Sequence, residues 1–152
     1  MDKHLKQASE KPRQTRRSLP MALLRARESV MKNFRPMLEK HNVTEQQWRV
    51  IRVVAEAGAL DATEVASRAS ILAPSLTRII KTLEQRKLIK RQNDSKDGRR
   101  VVLALAPAGE VLLHKAVPES LAAHKGLEEK IGGDKLMLLL DLLDEVALRA
   151  GN

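Results

Sequence analysis

The sequence predicts a mainly α chain with one small β-hairpin, an α+β arrangement of the winged helix-turn-helix kind. Three neighbouring stretches predict it: an amphipathic helix over Ala73–Arg86, a short helix before it over Asp61–Ser70, and a basic hairpin after it. In the first stretch, APSLTRIIKTLEQR, Pro74 suits a first helical turn because its missing N–H is one the helix end leaves unpaired anyway. Leu76, Ile79, Ile80 and Leu83 recur at i, i+3, i+4 and i+7 and make one buried stripe. Thr77, Arg78, Lys81 and Gln85 fall opposite. Such a helix can lie in the major groove of DNA, with Pro74, Ser75 and Thr77 near base edges and Arg78 and Lys81 further along. A solvated amphipathic helix has the same stripe, so the helix alone does not choose between the two.

Its neighbours do choose. Leu88–Gln92 and Arg100–Leu105 read as strands joined by the turn chemistry of NDSKDG. The tip of this hairpin carries Lys96, Asp97, Arg99 and Arg100. Upstream, Asp61 and Glu64 mark the capped start of a short helix. A helix, turn, helix and basic hairpin in that order place the hairpin beside the reading helix, within reach of phosphates or an adjacent minor groove.

Residues 1–19 are polar and basic and read as a mobile arm. Two readings of it stay open: backbone contact with DNA from Lys11, Arg13, Arg16 and Arg17, or a solvated tail. Residues 20–152 read as a single winged-helix domain, with a DNA-binding lobe over about 42–106 and dimerisation helices over 20–41 and 107–152. The first long helix spans Pro20 to about Lys40, with a kink or a new segment expected at Pro36. Thr44–Ala57 opens with the capping box Thr44/Gln47 and stops at Gly58. A long helix follows from Pro107 to about Lys130, disturbed at Pro118 and ended by Gly132–Gly133. Asp134 is expected to cap the last helix, through Leu148. That helix is apolar nearly all round and must be buried on several sides. One small lobe cannot cover it, whereas a symmetric homodimer can, and it presents two reading helices to a pseudo-palindromic site.

Charge supports a polyanionic partner. Net charge is +9, and residues 74–100 hold nine Lys or Arg against three Asp or Glu, whereas residues 101–152 hold five against eight. Cysteine is absent, which excludes disulfides, thiolate metal sites and thiol redox sensing. No apolar run is long enough to span a membrane, and residues 1–19 have no secretory h-region, so a cytoplasmic location is expected. Phe34 and Trp48 are the only aromatic rings besides histidine, too few for a single-strand or RNA stacking platform. An enzyme fares badly: His4, His41, His114 and His124 form no spaced motif with carboxylates, and no catalytic residue, cofactor or metal is expected.

The run PSLTRIIKTLEQ, then LIKR, then DSKDGRR, then LAPAG, within Leu23–Gly109, resembles the MarR family of bacterial transcriptional regulators. Within it, ALLRARESVMKNFRP followed by HNVTEQQWRVIRVVAE looks like the repressors of homoprotocatechuate (4-hydroxyphenylacetate) catabolic operons. The resemblance implies that Arg99 of Asp97-Gly98-Arg99 enters the minor groove, with Asp97 helping to hold it. Two departures stand out. The family's left-handed glycine after the reading helix is Lys87, which at a cost on the order of 1 kcal/mol suggests a reshaped turn. The family's capping Thr after the wing is Ala106, with Pro107 as a partial substitute.

The resemblance also implies release of DNA by an aromatic acid bound between the dimer helices and the reading lobe. Arg27 on an apolar face, His41 at that helix's end, and Trp48 and Arg52 on the next helix are the candidates for such a site. Each has a plainer reading: an interhelical ion pair for Arg27, core packing for Trp48, a helix end for His41. The expected function is a dimeric, sequence-specific repressor relieved by an aromatic carboxylate. The alternative is an effector-independent or architectural DNA-binding protein, separated from it by equilibrium binding of aromatic acids.

Overall fold

The hairpin and the helices around it form as the residue pattern requires. The computed structural model describes residues 14–151. They form two units, residues up to Asn33 and residues from Phe34 onward. Lys11, Arg13 and most of the basic arm lie outside the described residues.

In the first unit, Thr15–Arg17 make a 3-10 turn and Leu19–Met31 form helix α1. Ser18 is its N-cap, accepting from the Met21 amide at 3.4 Å, so the helix starts at the foot of what reads in the sequence as an arm. Helix α1 ends at Met31 and a new helix, α2, spans Arg35–Lys40, with Pro36 in its first turn. Of the two expectations at Pro36, the new segment is the one realised, because proline lacks the N–H that a continuous helix would need there.

The second unit continues with α3 (Glu45–Ala57), α4 (Ala62–Ala69), α5 (Ala73–Gln85), β1 (Ile89–Asn93), β2 (Val101–Leu105), α6 (Pro107–Ile131) and α7 (Gly133–Ala150). The capping box at Thr44/Gln47 forms with both bonds at 3.1 Å, and Gly58 ends α3 with φ +79°. Asp61 caps α4 through the Glu64 amide at 2.8 Å. The antiparallel pair runs from Ile89↔Leu105 to Asn93↔Val101; the first strand lies one residue later than the sequence pattern suggests, and the second starts one residue later but ends at Leu105 as expected. Leu60 adds a second, single-residue pairing, bridging Leu103 with N···O distances of 3.0 and 2.6 Å. A single residue carries no alternation, so this bridge has no sequence signal.

The core lies where α3, α4 and α5 meet the sheet. Val50, Ile51, Val54, Val65, Leu76, Ile80, Leu83, Ile89 and Leu103 are all buried. Each such side chain contributes roughly 1.5–3 kcal/mol by leaving water, before entropy is subtracted. Ile79 of the predicted stripe is only half-buried.

Three further sequence expectations resolve differently. Lys87 keeps the left-handed turn, at φ +58°, rather than reshaping it. The turn is held by Lys87 N–H to the Glu84 carbonyl at 2.9 Å and Leu88 N–H to the Leu83 carbonyl at 2.9 Å, which together fix the backbone against its steric preference. Pro118 sits inside one continuous α6. Finally, α7 starts at Gly133, with Gly132 at φ +98° in the capping position, so Asp134 falls in the first turn and is not the cap.

Candidate nucleic-acid interface and ligand cleft

On α5 the buried stripe turns Pro74, Thr77, Arg78 and Lys81 outward, while Ser75 is half-buried. Thr77 donates its hydroxyl to the Ala73 carbonyl at 3.1 Å, which leaves its oxygen free to accept a further bond. The start of α3 lies against the same helix: Thr44, Gln46 and Gln47 share a groove with Ser75, Arg78 and Thr82. Arg86 donates to Gln47 at 3.3 Å and tethers the end of α5 to that start. The sequence reading missed Gln46 and Gln47 as lining of this groove; the capping box was the only local signal for Gln47, and Gln46 had none.

The wing projects Lys96, Asp97 and Arg99 into solvent. Asp97 accepts from the Arg99 main-chain amide at 3.1 Å, so it shapes the turn beneath Arg99 where the resemblance suggested it holds the side chain. The Asp97 carbonyl also accepts from the Arg100 amide at 3.0 Å. Arg100 differs from the other tip residues. Its guanidinium donates to Asp61 and lies 3.8 Å from Asp94. The Asp61 carboxyl is held below its ordinary range, first by the Glu64 amide and then by Arg100.

A second feature lies between α3, α4 and α6. A cleft of about 270 Å³ is walled by Trp48, Arg49, Arg52 and Val53 of α3, by Arg68 and Ala69 of α4, and by residues of α6 including Ser120 and His124. It brings together Trp48 and Arg52, two of the four ligand candidates read from the sequence. His41 is not in its lining but pairs with Glu119 of α6 at 3.1 Å. Arg27 lies on α1, in the other unit, with its side chain exposed.

Three cations face this cleft with different partners. Arg52 reaches Glu56 at 3.5 Å and Arg68 reaches Glu64 at 3.3 Å, each along its own helix. Arg49 differs from both: its Nε is buried and makes no hydrogen bond among the described residues. A buried donor left unmade is costly, and a ligand oxygen would relieve it. The sequence reading missed Arg49, although its i, i+3 spacing to Arg52 already places both on the Trp48 side of α3. It also missed Ser120 and His124, because no face of α6 was assigned. His124 packs edge-on against Phe34, with ring centroids 4.7 Å apart.

A helix-turn-helix with an outward cationic face, followed by a basic hairpin, defines a winged-helix DNA-binding protein. The chain belongs to the MarR family of transcriptional regulators. The MarR family model matches residues 43–101. The chain is 45% identical over 130 residues to the HTH-type transcriptional regulator FarR of Neisseria gonorrhoeae, covering 86% of this chain and 89% of that protein. It is 39% identical over 128 residues to the homoprotocatechuate degradative operon repressor of Escherichia coli, covering 84% of this chain and 86% of that one. Its fold matches the crystal structure of NadR in complex with 4-hydroxyphenylacetate with a TM-score of 0.76 and 42% identity, over 90% of this chain and 97% of that chain. No helix among the described residues is long and apolar enough to cross a membrane.

Proposed function

We propose that this protein is a homodimeric repressor of an operon for breaking down an aromatic compound, and that a phenolic or aromatic carboxylate bound in the α3–α4–α6 cleft releases it from its operator. The observation that carries the effector reading is the pairing of Trp48 with the unpartnered Arg49 Nε and with Arg52 in one largely apolar cleft. A guanidinium in low-dielectric surroundings binds a carboxylate through two parallel bonds, and an indole face suits the ring. The similarity to a protein solved with 4-hydroxyphenylacetate supports the same class of ligand.

The release mechanism follows from where the cleft sits. Its α4 wall is the first helix of the helix-turn-helix, and its α6 wall leads into the apolar α7. A ligand wedged between them favours one spacing of the two reading helices in the dimer. It weakens DNA binding only if that spacing misfits the operator, and DNA then weakens ligand binding by the same factor, typically about 5–150-fold. The homodimer reading rests on α7, where Met137, Leu138, Leu139, Leu140, Leu142 and Leu148 are exposed in the single chain. A second copy would bury them.

Trp48 is the single tryptophan, so its fluorescence reports the cleft alone. The test is titration of 4-hydroxyphenylacetate, homoprotocatechuate and salicylate, following Trp48 emission and operator release together. Binding should be lost in an Arg49→Ala, Arg52→Ala double mutant that still binds DNA. If no acid binds the wild type at millimolar concentration, roughly −4 kcal/mol, the effector-independent reading replaces this one.

A further inference from the structure

We propose that Arg100 is a positioning residue, which locks the wing to the start of α4 through Asp61 and so presents Lys96 and Arg99 to DNA, rather than a DNA contact itself. The inference rests on the wing meeting DNA, as in the function proposed above. Its basis is the way the two ends of the latch are built.

Asp61 stands beside the hairpin because Leu60 bridges Leu103 of β2. One of its carboxylate oxygens caps α4 through the Glu64 amide, and the other accepts from Arg100. Both oxygens are therefore committed, and the latch joins the wing to the first helix of the helix-turn-helix.

Arg100 is held as firmly on its own side. Its main-chain carbonyl accepts from the Asp94 amide at 2.8 Å, and its amide donates to the Asp97 carbonyl at 3.0 Å. Asp94 in turn accepts from the Lys96 amide at 3.1 Å while its other oxygen faces the Arg100 guanidinium. The base of the wing is thus a closed set of bonds centred on Arg100, and the two exposed cations, Lys96 and Arg99, hang from it. Two carboxylates face the single guanidinium, so Arg100 adds little to the positive field of the wing. A group so paired would have to leave Asp61 before it could meet a phosphate.

The sign of one substitution separates the two roles. Asp61→Asn keeps a good helix cap, since Asn caps as well as Asp. It also removes a negative charge from beside the basic wing, which by field alone strengthens binding to a polyanion. A latch predicts the opposite. The experiment uses the full chain and a duplex site selected from a random-sequence library, with binding measured across a salt series for Asp61→Asn, Arg100→Gln and the double mutant. Arg99→Gln serves as the phosphate-contact control.

The expected result is that each single latch variant binds roughly three- to tenfold more weakly and that the double mutant binds no worse than either, the signature of one shared interaction. The salt slope stays at the wild-type value for both, while Arg99→Gln lowers it by about one counterion. Amide hydrogen exchange over residues 94–100 should speed up in both variants, with the melting temperature of the lobe little changed. The proposal is overturned if Asp61→Asn binds as tightly as wild type or tighter, or if Arg100→Gln lowers the salt slope as Arg99→Gln does. It also fails if Arg99→Gln changes neither affinity nor slope, because the wing then does not meet DNA at all.

Discussion

A Cβ on Gly109 would stand 2.1 Å from the carbonyl oxygen of Leu88. The first turn of α6 therefore packs on the main chain at the start of β1, and Ala106 N–H bonds that same carbonyl at 3.0 Å. This close approach is the physical content of the last glycine in LAPAG. Gly109→Ala should push α6 off the hairpin and cost roughly 1–3 kcal/mol, as overpacking does. Urea denaturation of the purified protein measures it, and an unchanged midpoint would show that the approach can relax freely.

Lys87 offers a test in the other direction. It holds φ +58° without being glycine. Lys87→Gly should raise stability by up to about 1 kcal/mol, the left-handed cost removed, less what glycine's freer unfolded chain takes back. A drop in the melting temperature would mean that the Lys87 side chain contributes more than its backbone costs.

Glu119 links α2 to α6 by accepting from Lys40 at 2.5 Å and pairing with His41 at 3.1 Å. Lys40 first, and His41 after it, hold the Glu119 carboxyl below its ordinary 4.5 against the opposing effect of desolvation. A carboxyl lowered on folding contributes stability that is present above its ordinary value and is lost as pH falls through the lowered one. Denaturation midpoints should therefore fall less steeply in Glu119→Gln than in wild type as pH drops below the ordinary 4.5. Parallel curves would show that this pair does not couple to folding.

The two elements proposed to meet DNA should fail in different ways. Arg78 projects from the reading face of α5 and Arg99 from the wing. If Arg78 reads a guanine, Arg78→Ala costs roughly 1–3 kcal/mol at the selected site and relaxes preference at one base pair. Arg99→Ala should weaken all duplexes alike and lower the salt slope by about one. Gel shifts over a panel of single-base variants and salt concentrations distinguish these patterns, and identical patterns for both variants would contradict the assignment of roles.

Assembly is tested on α7. Leu139 and Leu143 are 44% and 36% exposed in the single chain, so a charge there is harmless to an isolated protomer. In a dimer core, Leu139→Asp or Leu143→Asp buries an unpaired carboxylate at a cost of several kcal/mol. Sedimentation should show monomer or aggregate for either variant. A folded dimer that still binds DNA would place this helix in solvent.

What the sequence determined by itself was most of what depends on near neighbours along the chain, although the cap expected at Asp134 fell to Gly132. The capping pairs Thr44/Gln47 and Asp61/Glu64, the buried stripe of α5 and the turn chemistry of the wing were all legible, because each is an interaction across three or four residues or a local backbone preference. Trp48 and Arg52 were legible as one face for the same reason, and the spacing of Arg49 would have added it. Tertiary structure alone decided the rest. Leu60 meets Leu103, Arg100 meets Asp61 across 39 residues, and His41 turns to Glu119 rather than to the cleft. Those partners are set by how helices and hairpin pack, and packing is a property of many distant side chains at once. Lys87 shows how the two levels are ranked. Its own preference opposes a left-handed turn, but the hydrogen bonds that close α5 and the burial of Leu88 and Ile89 just beyond it outweigh one residue's steric cost.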